Sequence, residues 1–435
     1  MRRAVVAASH SPKRRWTIVP SRSRDDTLAI LRGQPIARLP VFGGLPSLTT
    51  PGLSAAGIRY GEAHTDPTMM ARAAASTYET FGFESAVVPF DLCVEAEALG
   101  CGVDFQTDVD AFLAPVVSAP LRRGDQLIAP TLPDDPSRAG RIPIVCEALT
   151  QLKNGVGREV AIGAWIPGPF TLAWQLFGAE AWLMAIKQDP TRAAHLLESL
   201  AEFLARVGAR YREAGADLLT IHEMGGSPQV VGASTFRSLV QPALTRLIAA
   251  LPSSRVLSVC GDTNKSVADL AACGAEALNV DHRNDLARTR QALGPTAILL
   301  GNFDPVKTLS QGTPETIAQA VRAIADAGAN AVWPGCDLWP EMPEANFRAL
   351  ISAARDIVTP ERRPTPMNSD NLEEFWEDLL SEEPARIRRV WKDLTDEECA
   401  AVLDHLRRMT EEEGWHAAQK QAAATALHVI REQAE

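Results

Sequence analysis

"RVLSVCGDTN" (residues 255–264) is a short apolar run, too brief for a helix, that stops on a cysteine and enters the polar turn Gly261-Asp262-Thr263-Asn264. A free cysteine is most often a small buried hydrophobe. One at the mouth of a strand has a second reading, as a thiolate that binds something. The same form recurs on both sides of this stretch. Earlier runs are "LPVFGG" (39–44), "SAVVPFD" (85–91), "VAIGAWIPG" (160–168) and "DLLTIHE" (217–223). Later ones are "EALNVDH" (276–282), "AILLGNFD" (297–304) and "NAVWPGC" (330–336). Between them lie stretches of helical period, such as 314–329, where Ile317, Val321, Ile324 and Ala325 share a face, Thr313-Pro314 marks the start and Gly328 the end. Eight strand-helix repeats predict parallel strands in an α/β fold closed as a (β/α)8 TIM-type barrel. An open doubly wound sheet is the alternative, weakened because no GxGxxG or GxxxxGK[ST] follows any run.

Composition narrows the class. The chain has 435 residues, 46% hydrophobic and 22% charged, as in ordinary globular proteins. Its net charge of −11 argues against general nucleic-acid binding. No apolar run approaches the roughly 18 residues of a membrane span, so no membrane role is expected. The start, "MRRAVVAASHSPKRRW", is basic, and its apolar patch is too short for a signal sequence; residues 1–24 read as a tail, with a transit peptide as the alternative. Seven scattered cysteines do not resemble a secreted disulfide framework and fit a reducing cytoplasm. The barrel is expected over residues 25–360. A Pro-rich polar stretch, 361–369, reads as a linker, and residues 370–435 as a C-terminal helical appendage. Thr395 with Glu398 and Thr410 with Glu413 form capping boxes there. Apolar stripes including Phe375, Trp376, Trp391 and Leu394 suit packing or self-association as a homo-oligomer, and His405, His416 and His428 are expected to be solvated.

In such a barrel, chemistry sits at the C-terminal ends of the strands. Those ends carry Asp91, His222-Glu223, Cys260, Asp281-His282, Asn302 with Asp304, and Cys336. Two thiolates with one or two N/O ligands is a zinc composition, catalytic where a position stays open. Cys93, Cys101, Cys146, Cys273 and Cys399 fall in apolar or helical stretches and are expected to be structural.

At these residues the sequence resembles the uroporphyrinogen decarboxylase superfamily, and within it the methylcobamide:coenzyme M methyltransferase branch. The resemblance runs over residues 25–357, through "EAHTDPTMMARAA" (62–74), "VVPFDLCVEAEALGCGVDF" (87–105), "IPGPFTLAWQLFG" (166–178), "VCGDTNKSVADLAACGAEALNVD" (259–281), "GNFDPVKTLSQGTPETI" (301–317) and "PGCDLWPEMPEANFRALISAA" (334–354). It implies a barrel whose zinc binds a thiol, and an enzyme that moves a methyl group from a methylated corrinoid, such as methylcobalamin, to that acceptor. No Asp-x-His-x-x-Gly cobalamin motif occurs, so the expected partner is a separate methylated corrinoid protein, with a small-molecule thiol as acceptor. The decarboxylase branch carries an Arg-Gln-Ala-Gly-Arg signature near its start. The corresponding "VFGGLPSLTTPGL" (41–53) contains no arginine to clamp a polycarboxylate. A uroporphyrinogen-type decarboxylase and a non-catalytic corrinoid- or tetrapyrrole-binding module are the alternatives.

One departure matters. The resemblance implies His-x-Cys at the end of the fifth run, with both residues as zinc ligands; here the pair is Ser258 and Cys260. His282, which ends the next run, is the expected replacement, since adjacent strands lie about 4.8 Å apart, with His222 and Glu223 of the preceding run as the other candidates. The expected metal site is therefore Cys260, His282 and Cys336, with Asp281 or Glu223 in reserve. The rival expectation is that the serine marks lost zinc binding. Catalytic roles are expected for Asp91, Glu223, Asn302 and Asp304, and cofactor contacts for His64, Glu95 and His222. The alternatives there are loop capping for the acids and a hydrogen-bonded core role for His222.

Overall fold

The structure, a computed structural model, describes residues 23–106, 112–123, 126–357, 375–391, 396–411 and 415–431. The tail before Ser23, the linker 361–369, and Leu394, Thr395 and Glu413 lie outside the described residues. Two compact units divide at Thr359/Pro360.

Six strands form one parallel sheet: β1 (Ser85–Val88), β2 (Ala161–Pro167), β3 (Leu218–Glu223), β4 (Arg255–Val259), β5 (Ala277–Val280) and β6 (Ile298–Leu300). The two remaining predicted runs close the ring by isolated bridges. Leu300 pairs with Ala331, and Val332 pairs with Val41. Val41 O then accepts from Glu84 N at 2.9 Å, next to β1. The barrel of eight positions is therefore complete. Its closing pair is short because Pro40 and Pro334 have no N–H to extend a ladder, and Gly43, Gly44 and Gly335 add no side chain to pack.

Strand parity sorts the residues into two layers. Leu218, Val256, Ala277, Ile298, Leu300 and Trp333 gather with Phe42 in one apolar cluster, which takes Ile30 and Leu31 from the helix Ser23–Leu31. Their alternates, such as Leu219, Leu257, Leu278 and Leu299, join the larger cluster that packs the helices. Burying each such side chain contributes about 1.5–3 kcal/mol. The first cluster is the barrel floor. On the same parity, Thr220 and His222, Ser258 and Cys260, and Asn279 and Asp281 follow above it.

The surrounding helices start where local chemistry dictates. Thr313 caps Pro314–Asp326 in a reciprocal box with Thr316, and Ile317, Val321 and Ile324 are its buried face. Asp66 accepts from Met69 N ahead of Pro67–Phe81, with Pro67 at the first position.

The second unit has its own apolar core, with Leu379, Ile387, Leu406 and Ala426 at its centre. Its described helices include Pro384–Trp391, Asp396–Glu411 and Ala417–Arg431. His405, expected in solvent, instead lies 4.9 Å from the Trp376 ring and 5.8 Å from Trp415. Flanking indoles gain contact area over its flat face, which a solvated imidazole would forgo.

Candidate active site at the barrel mouth

Cys260, one residue beyond β4, and Cys336, after the closing bridge, bring their sulfurs to 3.7 Å. His222, the inward residue near the end of β3, sets its Nε2 3.7 Å from Cys260 Sγ. Both cysteines are half-buried, and His222 is buried. The neighbouring Cys336 sulfur and burial push the Cys260 thiol pKa up. Burial pushes His222 down to about 4, which keeps its imidazole neutral at neutral pH.

A polar row supports this corner. His222 and Ser258 are register partners across β3 and β4, as are Ser258 and Asn279 across β4 and β5. His222 Nδ1 lies 3.2 Å from Ser258 Oγ, and Ser258 Oγ donates to Asn279 Oδ1 at 2.8 Å. Asn279 Nδ2 donates to the carbonyls of Leu300 and Pro334 at 3.3 and 3.4 Å. Trp165 of β2 meets the His222 ring edge-on, 6.0 Å between centroids. Sequence reasoning missed Asn279, although its inward parity in "EALNVDH" was a readable signal.

The expected ligand His282 has other neighbours. Its Nδ1 is 3.1 Å from Asp281 Oδ1, without hydrogen-bond geometry, and its Nε2 is 3.4 Å from Asp304 Oδ2. Asp281 holds the Cys260 loop, accepting from Gly261 N at 2.9 Å. Asn302 donates to the carbonyls of Asp281 and Asn284, and Asp304 caps the following turn by accepting from Val306 N and Lys307 N. The Cβ of a residue replacing Gly335 would stand 2.5 Å from His282 N, so only glycine lets "PGC" approach this strand end.

The remaining expected residues are spent within the protein. Asp91 is fully buried and accepts from both Nη atoms of Arg141 (2.8 and 2.9 Å) and from Cys93 N, with His64 Nδ1 at 3.0 Å. Burial alone would raise its pKa, but Arg141 and His64 hold it well below the usual carboxylate range. His64 Nε2 has no protein partner among the described residues. Glu95 is buried, accepts from Tyr211 OH at 3.1 Å, and is pushed up to about 8 by burial. Glu223 follows the outward parity of β3, so its carboxylate faces the helix Pro169–Phe177. There it accepts from Phe170 N, Thr171 Oγ1 and Gly226 N, and burial pushes it up to about 7. Arg141, a buried partner on a distant segment, gave no signal in the sequence.

Among the described residues, no group of three His, Cys, Asp or Glu side chains stands where it could hold a metal ion without some movement. The donor types, two thiols and an imidazole, are nevertheless those that zinc takes. Ligands bound at about 2.0–2.3 Å in a tetrahedron stand about 3.5–3.8 Å apart. The Cys260–Cys336 and Cys260–His222 separations, both 3.7 Å, are two such edges sharing one sulfur.

Fold and site together define a (β/α)8 barrel with a thiol pair at its catalytic end. The chain belongs to the uroporphyrinogen decarboxylase (URO-D) family, whose model matches residues 22–357. It is 32% identical to a methylcobamide:CoM methyltransferase, MtaA, of Methanosarcina barkeri, over 76% of this chain and 96% of the relative. It is 28% identical to a methylated-thiol–coenzyme M methyltransferase of Methanosarcina mazei, over 77% and 89%. A solved methyltransferase from Methanosarcina mazei superposes with a TM-score of 0.72 at 28% identity, covering 76% of this chain and 98% of that one. No described helix is long and apolar enough to cross a membrane.

Proposed function

We propose that this chain is a methyltransferase that moves a methyl group from a methylated corrinoid, carried by a partner protein, to a small thiol. The observation that carries this reading is the facing pair Cys260 and Cys336 at the mouth of a barrel whose relatives are named methylcobamide:CoM methyltransferases. The seven free cysteines agree with work in a reducing compartment, the cytoplasm.

Cys260 and Cys336 would hold a zinc ion. Such an ion supplies Lewis-acid stabilisation of a thiolate, which at pH 7 is otherwise a few per cent of a thiol of pKa about 8.5. The chain's residues do the rest. Asp281 anchors the Cys260 loop, and Gly335 lets Cys336 close on it. Phe42, Trp333 and Val256 keep water from entering through the floor. A methylated corrinoid would supply the methyl group, its carbon–cobalt electron pair staying on cobalt, and the acceptor thiol would give up its proton to react as thiolate. The decarboxylase alternative needs a carboxylate clamp, and the buried Arg141 is already committed to Asp91 and Glu97.

The test is methylcobalamin with coenzyme M and other small thiols, followed by visible spectroscopy and mass analysis of the thiol. Loss of the methyl-cobalt spectrum with formation of methylated thiol is expected. A perturbed but persistent spectrum would mean binding alone. Loss of carboxyl groups from uroporphyrinogen would overturn the reading in favour of decarboxylation.

A further inference from the structure

The orientation of one imidazole follows from hydrogen bonds three strands away. Asn279 Nδ2 faces two backbone carbonyls, of Leu300 and Pro334, which only an amide N–H can satisfy. Its Oδ1 must therefore face Ser258, at 2.8 Å. Two acceptors at that distance repel, so the single hydroxyl proton of Ser258 points to Asn279. What remains on Ser258 Oγ is a lone pair, and His222 Nδ1 lies 3.2 Å from it. A neutral imidazole carries one N–H, so that proton is on Nδ1. Nε2 then presents its lone pair, 3.7 Å from Cys260 Sγ. Every member of the row is buried, so water does not compete for these bonds.

We propose that His222 supplies the imidazole of the thiol site, and that Asn279 and Ser258 fix it as the Nδ1–H tautomer with its Nε2 lone pair directed at the metal position beside Cys260. Metal-binding histidines commonly donate their other ring N–H to a partner that sets tautomer and angle. Ser258 fills that place. As a register partner of His222 on the same barrel face, it also marks the position from which β4 could itself deliver an imidazole. The ligand has moved one strand across, and the serine has become its positioning residue. This inference rests on the metal reading given under Proposed function.

The experiment has two arms. In the first, metal-free protein with 15N-labelled histidine is examined by NMR. His222 is expected as the Nδ1–H tautomer, and Ser258→Ala is expected to shift it towards a mixture. An Nε2–H tautomer, or a spectrum indifferent to Ser258→Ala, overturns the relay. In the second, zinc affinity is read by competition with a chromophoric chelator, with visible spectra of the cobalt-substituted protein as a check on sulfur and nitrogen ligation. Ser258→Ala is expected to weaken zinc by about 10–100-fold, and His222→Ala by more. His282→Ala should retain it. Should His222→Ala fold poorly, the exchange of His222→Ser with Ser258→His keeps an imidazole on this face and is expected to recover binding. Retention in His222→Ala with loss in His282→Ala overturns the inference while leaving a zinc site. A wild type that binds no zinc overturns the metal reading itself, and the first arm still decides the relay.

Discussion

Cys260 and Cys336 are 76 residues apart in sequence and 3.7 Å apart at their sulfurs. Nothing but the closed ring of strands brings them together. Because each lies just past the end of a barrel strand, a small change in either loop acts on both.

Cys336→Ser is expected to lower zinc affinity by at least about tenfold and to abolish methyl transfer, since a hydroxyl ionises far less readily than a thiol. The melting temperature of the metal-free protein should move little, because the residue is only half-buried. Chelator competition and a thermal melt, run side by side, separate the two effects. An unchanged zinc content in the variant would remove Cys336 from the site.

Gly335→Ala addresses the same corner without touching a ligand. The added methyl would meet His282 N at 2.5 Å, and backbone cannot step aside as a flexible side chain can. Weaker metal binding and slower transfer are expected, with a stability loss of about 1–3 kcal/mol by urea titration. Wild-type affinity in this variant would mean that the "PGC" loop tolerates displacement.

Asp91→Ala should be among the most destabilising single changes in the barrel. It would leave Arg141, buried and bidentate on that carboxylate, with Glu97 as its one remaining ion-pair partner, and His64 without its carboxylate. Removing one member of a buried pair costs about 3–5 kcal/mol. Equilibrium urea unfolding measures it. A loss below about 1 kcal/mol would show that water reaches Arg141 after all.

Glu95 gives the protein a pH dependence of known sign. Burial pushes its carboxyl up to about 8, so the folded chain holds a proton that the unfolded chain releases in the ordinary carboxyl range. Its contribution is complete below the unfolded pKa and is lost as pH rises towards about 8, with a slope of up to about 1.4 kcal/mol per pH unit. Glu95→Gln keeps the shape without the titration. Its urea midpoint should be flatter than wild type across about pH 5–8, and equal slopes would refute the assignment.

The sequence by itself determined the barrel, because alternating apolar runs and amphipathic helices leave a parallel closed sheet as the arrangement that buries both. It also picked out the strand-end residues, although it gave a catalytic role to Glu223, whose carboxylate faces the helices. Strand parity puts Ser258 with Cys260, and separates His222, facing in, from Glu223, facing the helices. Position at the ends of apolar runs, beside glycines, likewise singled out Cys260 and Cys336 among seven cysteines. What only the tertiary structure decided is which imidazole meets the sulfur. His222 and His282 each end a strand next to β4, and neighbouring strands are equally near in sequence logic. The choice lies in stagger and side-chain direction. His282 stands beside Asp281 and Asp304, while Trp165, Ser258 and Asn279 surround His222 next to Cys260. Those partners come from four separate segments. Local sequence sets each strand's two faces, but only the packing of the whole ring sets how far one strand slides past the next.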